Sequence, residues 1–222
     1  MNIEKLIEKL QVHSTQNQLP GKATVSEEPI SASEVNRLLG HTSILSLSED
    51  PAEKILAYEI ITRLLEIETK KDSKLLNYAE VVMSRLGNFP GRQLLRKRYN
   101  FTNNNVPSFL KLECLSREIE NSVFIDGEAI QLTDFQYDFF SSLQKETALS
   151  ISAPTSAGKS FVLGLSLTNK LREKENQCIV YVVPTRALIT EVSSMVRDSI
   201  RKYNLENIIV RTAPFSISKE KA

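Results

Sequence analysis

The stretch from Ser150 to Ser160 contains the residue types that a phosphate-binding loop needs. A short apolar segment leads into a turn of small residues that ends Gly-Lys-Ser, and a helical pattern follows. Backbone N–H groups of such a loop can surround phosphate oxygens, while its lysine and hydroxyl can bind the β/γ-phosphates and Mg²⁺. The predicted ligands are Pro154, Thr155, Ser156, Ala157, Gly158, Lys159 and Ser160, with Ser160 as the Mg²⁺ ligand.

A simpler interpretation of this loop stays open. The strict pattern begins with glycine, whereas position 153 is alanine, which suits the turn only where the backbone avoids the left-handed region. A Gly/Ser-rich turn in an α/β protein would contain similar residues. The apolar segment before the loop and the helical pattern after it favour phosphate binding.

Other chemistry-bearing residues are scattered. His13 and His41 stand alone, which argues against structural zinc and against a Ser-His-Asp group. Cys114 and Cys178 lie in apolar contexts, and we predict that both are reduced thiols in the core of a cytoplasmic protein. The basic run from Arg92 to Arg98 is either a solvated helix face or a contact surface for nucleic acid or protein.

Composition restricts the class of protein. The chain has 222 residues, of which 41% are hydrophobic and 25% charged, as in soluble globular proteins with one or two domains. No run approaches the roughly 18 apolar residues that a membrane span needs, and the start does not resemble a secretory signal. A formal net charge of +1 excludes general attraction to nucleic acid but allows a local basic face.

The first 121 residues have helical patterns only, and we predict a helical accessory or partner-binding domain there. Helices are expected over residues 1–12, from a capping box at Ser31 to Gly40, from Asp50-Pro51, over 75–86, and after Pro107, with a loop over 13–30. The helices that begin near residues 51 and 75 are expected to pair antiparallel.

From residue 122 the pattern changes to alternating strands and helices. Asp126-Gly127 predicts a hairpin turn, and a helix is expected after Leu132. Thr133 and Gln136 have capping-box spacing, so Gln136 has a purely local interpretation as a cap. Strands are expected at 148–152, 177–183 and 207–213 with helices between them, which predicts a parallel sheet over residues 122–222.

Three segments of this half resemble superfamily 2 helicases of the DExD/H-box type, in particular the Ski-like branch. The segments are Leu132–Gln136, which resembles the adenine-reading Q motif, Ala153–Ser160, which resembles motif I, and Tyr181–Leu188, which resembles motif Ia. The resemblance implies a RecA-like domain that binds ATP and Mg²⁺, with Gln136 at the adenine. It also implies that Thr185 and Arg186 contact the sugar-phosphate backbone of DNA or RNA; the alternative for Arg186 is a surface residue at a helix start. In this family, alanine is common at the position of Ala153.

Such helicases also need a later Asp-Glu pair that holds Mg²⁺, and no such pair follows Ser160. We therefore expect the N-terminal part of a longer motor, truncated before motif II and inactive as a hydrolase alone. The fold class expected is α + α/β: a helical domain, then a partial RecA-like parallel-sheet P-loop domain.

An alternative is a protein-interaction module in which residues 1–121 bind a partner and the motor segment is incidental. The helical extension resembles the helicase subunit of the bacterial Hachiman anti-phage defence system, which would imply a nuclease effector as the partner. This alternative predicts that a charge at Ile60 or Val82 disrupts the complex.

Overall fold

The structure, a computed structural model, describes residues 2–18, 29–67, 72–100, 105–146, 148–173, 178–205 and 208–212. These residues divide into two compact units. The helical unit lies within residues 1–123 and 130–134, and the C-terminal unit lies within residues 124–129 and 135–222. No helix in the described ranges is long and apolar enough to cross a membrane.

The described part of the helical unit contains six helices with locally defined starts. They are α1 (Ile3–Gln18), α2 (Ala32–Leu45), α3 (Pro51–Ile67), α4 (Ser73–Arg85), α5 (Phe89–Tyr99) and α6 (Ser108–Glu120). The predicted capping box is confirmed, because the Ser31 hydroxyl accepts from the Glu34 N–H and the Glu34 carboxylate accepts from the Ser31 N–H. The predicted starts at Pro51 and after Pro107 are also confirmed.

Two predicted helix ends are wrong. Helix α1 continues to Gln18, and α2 passes through Gly40 to Leu45. Packing explains the second extension, because Thr42 is buried and its hydroxyl donates to the Ala57 carbonyl of α3 at 2.8 Å. Tertiary contacts of this kind outweigh the roughly 1 kcal/mol that glycine costs inside a helix.

An apolar core joins the first five helices of this unit. Helix α3 packs against α1, α2 and α4, which confirms the contact between α3 and α4. The fully buried members include Leu6, Leu10, Leu38, Ile60, Ile61, Leu64, Ala79 and Val82.

The first residue of the basic run on α5, Arg92, belongs neither to a solvated helix face nor to a free contact surface. Arg92 is 1% exposed and donates to the Ser84 hydroxyl at 2.7 Å and the Cys114 carbonyl at 3.2 Å. It also pairs with Glu80, which is fully buried, and with Glu118. Our prediction for Arg92 was therefore wrong: its guanidinium joins α4, α5 and α6, while Lys97 and Arg98 remain exposed.

Cys114 lies beside this network and is buried, as predicted. Burial raises the pKa of its thiol, and the neighbouring Ser84 hydroxyl and Arg92 charge oppose that shift only in part.

The Glu34 carboxylate makes the helical unit sensitive to acid. The Ser31 backbone N–H, followed by the Lys9 ammonium at 3.1 Å, lowers the pKa of Glu34 to about 2 from 4.5. Because the folded pKa lies below the ordinary value, this contribution to stability is complete above about pH 4.5 and is lost as the pH falls towards 2.

We predict that an NMR titration of the Glu34 side-chain carboxyl gives a midpoint well below 4. The same titration of the Lys9→Ala variant, which removes the ammonium that pairs with Glu34, should give a higher midpoint. A Glu34 midpoint near 4.5 in the wild-type chain would contradict the observed pairing.

The described part of the C-terminal unit contains three helices, α7 (Asp134–Lys145), α8 (Lys159–Glu173) and α9 (Arg186–Lys202). A hairpin of β1 (Ser122–Ile125) and β2 (Glu128–Gln131) precedes them and is the one sheet among the described residues. Asp126 and Gly127 have φ angles of 56° and 78°, so the predicted Asp-Gly turn with two left-handed residues is confirmed.

The three predicted parallel strands do not form as paired strands within the described ranges. Of the predicted strand residues, 148–152, 178–183 and 208–212 have no ladder hydrogen bonds, while 177, 207 and 213 lie outside the described ranges. Val180 and Val182 are 79% and 85% exposed. A strand needs a neighbouring backbone, and no described segment pairs with these runs. For the same reason Cys178 is exposed, so its prediction as a core thiol was wrong.

The helices of this unit pack through small apolar surfaces. Phe139 and Phe140 of α7 and Val162 and Leu165 of α8 are buried. A Cβ atom on Gly164 of α8 would lie 2.8 Å from the Met195 sulfur, so these two residues are in close contact. The large apolar positions of α9, among them Met195, are only half-buried.

Candidate functional site

The loop before α8 adopts a compact turn that brings its backbone close to the helix start. Thr155–Ala157 form a single 3₁₀ turn, in which the Ala157 N–H donates to the Pro154 carbonyl at 3.2 Å. Gly158 follows with φ of 81°, a left-handed conformation that favours glycine. Helix α8 begins at the next residue, so the free N–H groups of its first turn lie directly after the loop.

The Lys159 side chain folds over this loop. Its ammonium donates to the Ala153 carbonyl at 2.5 Å and to the Pro154 carbonyl at 2.7 Å. A phosphate oxygen would be a stronger acceptor than either carbonyl, because its negative charge adds Coulomb attraction to the ammonium that a neutral carbonyl does not supply. The Ser160 hydroxyl is exposed in the first turn of α8, where it can reach a metal ion.

Helix α7 brings Gln136 to the same loop. The Gln136 amide nitrogen donates to the Ala157 carbonyl at 3.4 Å. The same nitrogen lies 2.4 Å from the place where a Cβ atom on Gly158 would be. Residues about twenty positions apart therefore meet, and the absence of a side chain at Gly158 makes room for the glutamine.

Thr185 and Arg186 lie at the start of α9. Thr185 is the N-cap, and its hydroxyl accepts from the Leu188 N–H at 3.4 Å. Arg186 is exposed, and within the described ranges it forms no ion pair. Neither residue has a hydrogen bond to the loop among the residues that the structure describes, so the structure does not join these two predicted sites. The helix N-terminus next to them is suited to an anion.

The other ends of α8 and α9 contact the hairpin turn. Arg172 pairs with Asp126 at 2.8 Å, and Lys202 pairs with Glu128 at 2.6 Å. The Glu128 carboxylate raises the pKa of Lys202, and burial raises the pKa of the Tyr181 hydroxyl in the segment before α9.

Residues 133–221 match the DEAD/DEAH box helicase family. The matched residues include Gln136, the loop before α8, and the start of α9. An uncharacterised helicase of Caenorhabditis elegans is 35% identical over 72 residues, which are 32% of this chain and 4% of that protein. The alignment thus spans a small part of the relative's length. No solved structure gives a significant match.

Two features bear on the chemistry of the matched residues. No group of three or more His, Cys, Asp or Glu residues that could hold a metal ion occurs among the described residues. The sequence-based interpretation also missed how Asp134, the first residue of α7, is held. Arg117 donates to both of its carboxylate oxygens, and Asn121 donates to one of them at 2.7 Å. Asp134 at a helix start was visible in the sequence, but its partners 13 and 17 residues upstream were not.

Proposed function

We propose that this chain binds ATP with Mg²⁺ at the loop before α8 and forms part of an ATP-dependent nucleic-acid helicase or translocase. The observation that carries the proposal is the placement of Gln136 against Ala157 and Gly158. A phosphate loop and a side chain that can read a base then belong to one site.

The residues present fit this ligand. Lys159 supplies positive charge directly over the loop, and α8 begins at the residue after Gly158, so the free N–H groups of its first turn lie beside the loop. The Ser160 hydroxyl is the ligand that we assign to Mg²⁺. Gln136 can accept from adenine N6 and donate to adenine N7 with one amide group, a pattern that guanine does not match.

Equilibrium binding of ATP to Lys159→Ala tests the proposal. Removal of a charge-assisted hydrogen bond of about 1.5–3 kcal/mol should weaken binding roughly 10- to 100-fold. Lys170→Ala, which removes an exposed lysine in the last turn of the same helix, is the matched control and should bind as wild type. Equal affinities in all three proteins would refute the assignment.

The wider helicase role rests on the family match and on the order of elements. We propose that the segments predicted as strands, 148–152, 177–183 and 207–213, belong to a RecA-like parallel sheet in which they pair only where a neighbouring strand is present, since they alternate with α8 and α9 in the chain. Thr185 and Arg186 would then contact the phosphates of DNA or RNA from a helix N-terminus. Assignment to the Ski-like branch rests on the sequence resemblance alone.

We also expect the 222-residue chain to bind ATP without turning it over. No Asp-Glu pair follows Ser160 in this sequence, and such a pair supplies the metal-holding acid of the reaction. A phosphate-release assay should therefore give the same background rate for the wild-type chain and for Lys159→Ala. Mg²⁺-dependent release that Lys159→Ala abolishes would contradict this expectation.

A second candidate function is protein binding through the helical unit, and one observation favours it. Helix α6 exposes a row of large apolar side chains at helical spacing, which are Phe109, Leu112, Leu115 and Ile119. Ile60 and Val82, in contrast, are fully buried, so a charge at either would disturb the core and would not report on binding.

Leu112→Asp, with Val12→Asp on α1 as the matched control, is the sharper test of partner binding. Loss of a co-purifying protein with the first variant alone would support the candidate. If that protein is a nuclease effector, it would support the defence role that the sequence resemblance implies. If no specific protein is recovered, the partner-binding candidate is refuted.

A further inference from the structure

Within the C-terminal unit, α7 contacts α8 at a second point, near the end of α7 that lies away from Gln136. The Gln144 amide nitrogen donates to the Ser166 hydroxyl at 3.2 Å. Ser166 is 5% exposed and lies in the middle of α8, whereas Gln144 is exposed. A buried hydroxyl needs a hydrogen-bond partner, and here that partner comes from the last turn of a different helix.

The two contacts have the same spacing on both sides. Gln144 lies eight residues after Gln136 on α7. On the other side, Ser166 lies eight residues after Gly158, whose carbonyl accepts from the Val162 N–H in the first turn of α8. Eight helical residues advance about 12 Å. The two helices therefore run side by side in the same direction, with the phosphate loop at one end of the shared length and the second contact at the other.

The second contact can fix where α7 lies along α8. The hydrogen bond from Gln136 to the Ala157 carbonyl is 3.4 Å long, at the limit of the range, and is too weak to hold the helix by itself. Phe139 and Phe140, between the two glutamines, are buried, but apolar packing is non-directional and does not select one position along the axis. The hydrogen bond to Ser166 is directional, and a shift of α7 by about 1 Å would break it.

We propose that Gln144 and Ser166 are positioning residues that fix the register of α7 against α8. They thereby hold Gln136 at the phosphate loop and set the preference of the site for adenine over guanine. This inference rests on the proposed function, since it assumes nucleotide at the loop and its base at Gln136.

Calorimetry of ATP and GTP binding to the full 222-residue chain tests the role of Gln144. For Gln144→Ala we expect the ratio of ATP to GTP affinity to fall about three- to tenfold, the effect of losing one hydrogen bond to the base. GTP affinity itself should change little, because the loop and Lys159 hold the phosphates. Gln144→Glu keeps the length of the side chain and can accept from the Ser166 hydroxyl, so it should retain most of the ratio.

Two variants of α8 separate positioning from folding. Ser166→Ala should lower the ratio as Gln144→Ala does, and the double variant should lower it no further, because both changes remove one hydrogen bond. Thr168→Val is the matched control. It also removes a buried hydroxyl from α8, but the Thr168 hydroxyl donates to the Gly164 carbonyl of its own helix at 2.9 Å. This control should keep the wild-type ratio.

NMR of the chain without nucleotide gives a second readout, which does not depend on ligand binding. The side-chain amide signal of Gln136 should move in Gln144→Ala and Ser166→Ala, and it should stay in place in Thr168→Val. An unmoved Gln136 signal in the first two variants would overturn the positioning role.

The binding outcomes distinguish this inference from the proposed function. No ATP binding by the wild-type chain would overturn the proposed function and the selectivity role together. ATP binding with a wild-type ratio in Gln144→Ala and Ser166→Ala would overturn the positioning role and leave the nucleotide site standing. An equal fall of the ratio in Thr168→Val would show a general loosening of α8 and would also overturn the positioning role.

Discussion

Replacement of Glu80 by alanine is expected to destabilise the helical unit by about 3–5 kcal/mol, the cost of removing one partner of a buried ion pair. Glu80 is fully buried and pairs with both Arg92 and Arg96 of α5. Without it, the Arg92 guanidinium, which is 1% exposed, would keep only Glu118 as a charged partner. A loss of this size is a large fraction of the 5–15 kcal/mol that typically stabilises a domain.

Urea unfolding followed by helical circular dichroism measures this effect. Glu113→Ala is the matched control. Glu113 pairs with Arg85 of α4, but its side chain is 34% exposed, whereas Glu80 is fully buried. We expect the control to lose about 1 kcal/mol or less. A similar small loss in Glu80→Ala would mean that the buried network does not hold α4, α5 and α6 together.

Replacement of Gly158 by alanine is expected to weaken ATP binding at least tenfold while leaving the chain folded. The left-handed backbone at φ 81° costs an alanine about 1–2 kcal/mol. The new Cβ atom would also lie 2.4 Å from the Gln136 amide nitrogen. The glutamine is flexible and can move, but it must then leave the loop, so both the phosphate cradle and the base contact are disturbed.

Gly127→Ala provides the control for this prediction. Gly127 has φ of 78°, nearly the same as Gly158, but a Cβ atom there meets nothing within 4 Å. In both variants an alanine must adopt a left-handed backbone conformation, whereas only Gly158→Ala changes the loop before α8. Wild-type ATP affinity in a folded Gly158→Ala protein would show that this glycine is not part of a nucleotide site.

Features fixed by nearby residues could be predicted from the sequence. The Ser31–Glu34 capping box and the Asp126-Gly127 turn each depend on residues within three positions, and the structure has both. The loop before α8 was recognisable for the same reason, because its small residues, lysine and hydroxyl are consecutive in the chain.

Features that depend on distant partners could not be predicted. Arg92 looked like part of a basic surface because Glu80 and Glu118, which neutralise it, lie on other helices. The apolar run at 178–183 has the composition of a buried strand, but pairing requires a neighbouring backbone that periodicity does not reveal. Thr185 and Arg186, likewise, start a helix as expected, while their relation to the loop depends on tertiary structure.

The most direct test of the central claim, that the loop and Gln136 form one nucleotide site, is an NMR titration that follows the Gly158 backbone amide and the Gln136 side-chain amide. With ATP and Mg²⁺, both signals should shift with the same saturation curve. With inorganic triphosphate, the Gly158 signal should shift and the Gln136 signal should stay close to its starting position. A saturating ATP titration that moves neither signal, or moves only one of the two, would contradict the claim.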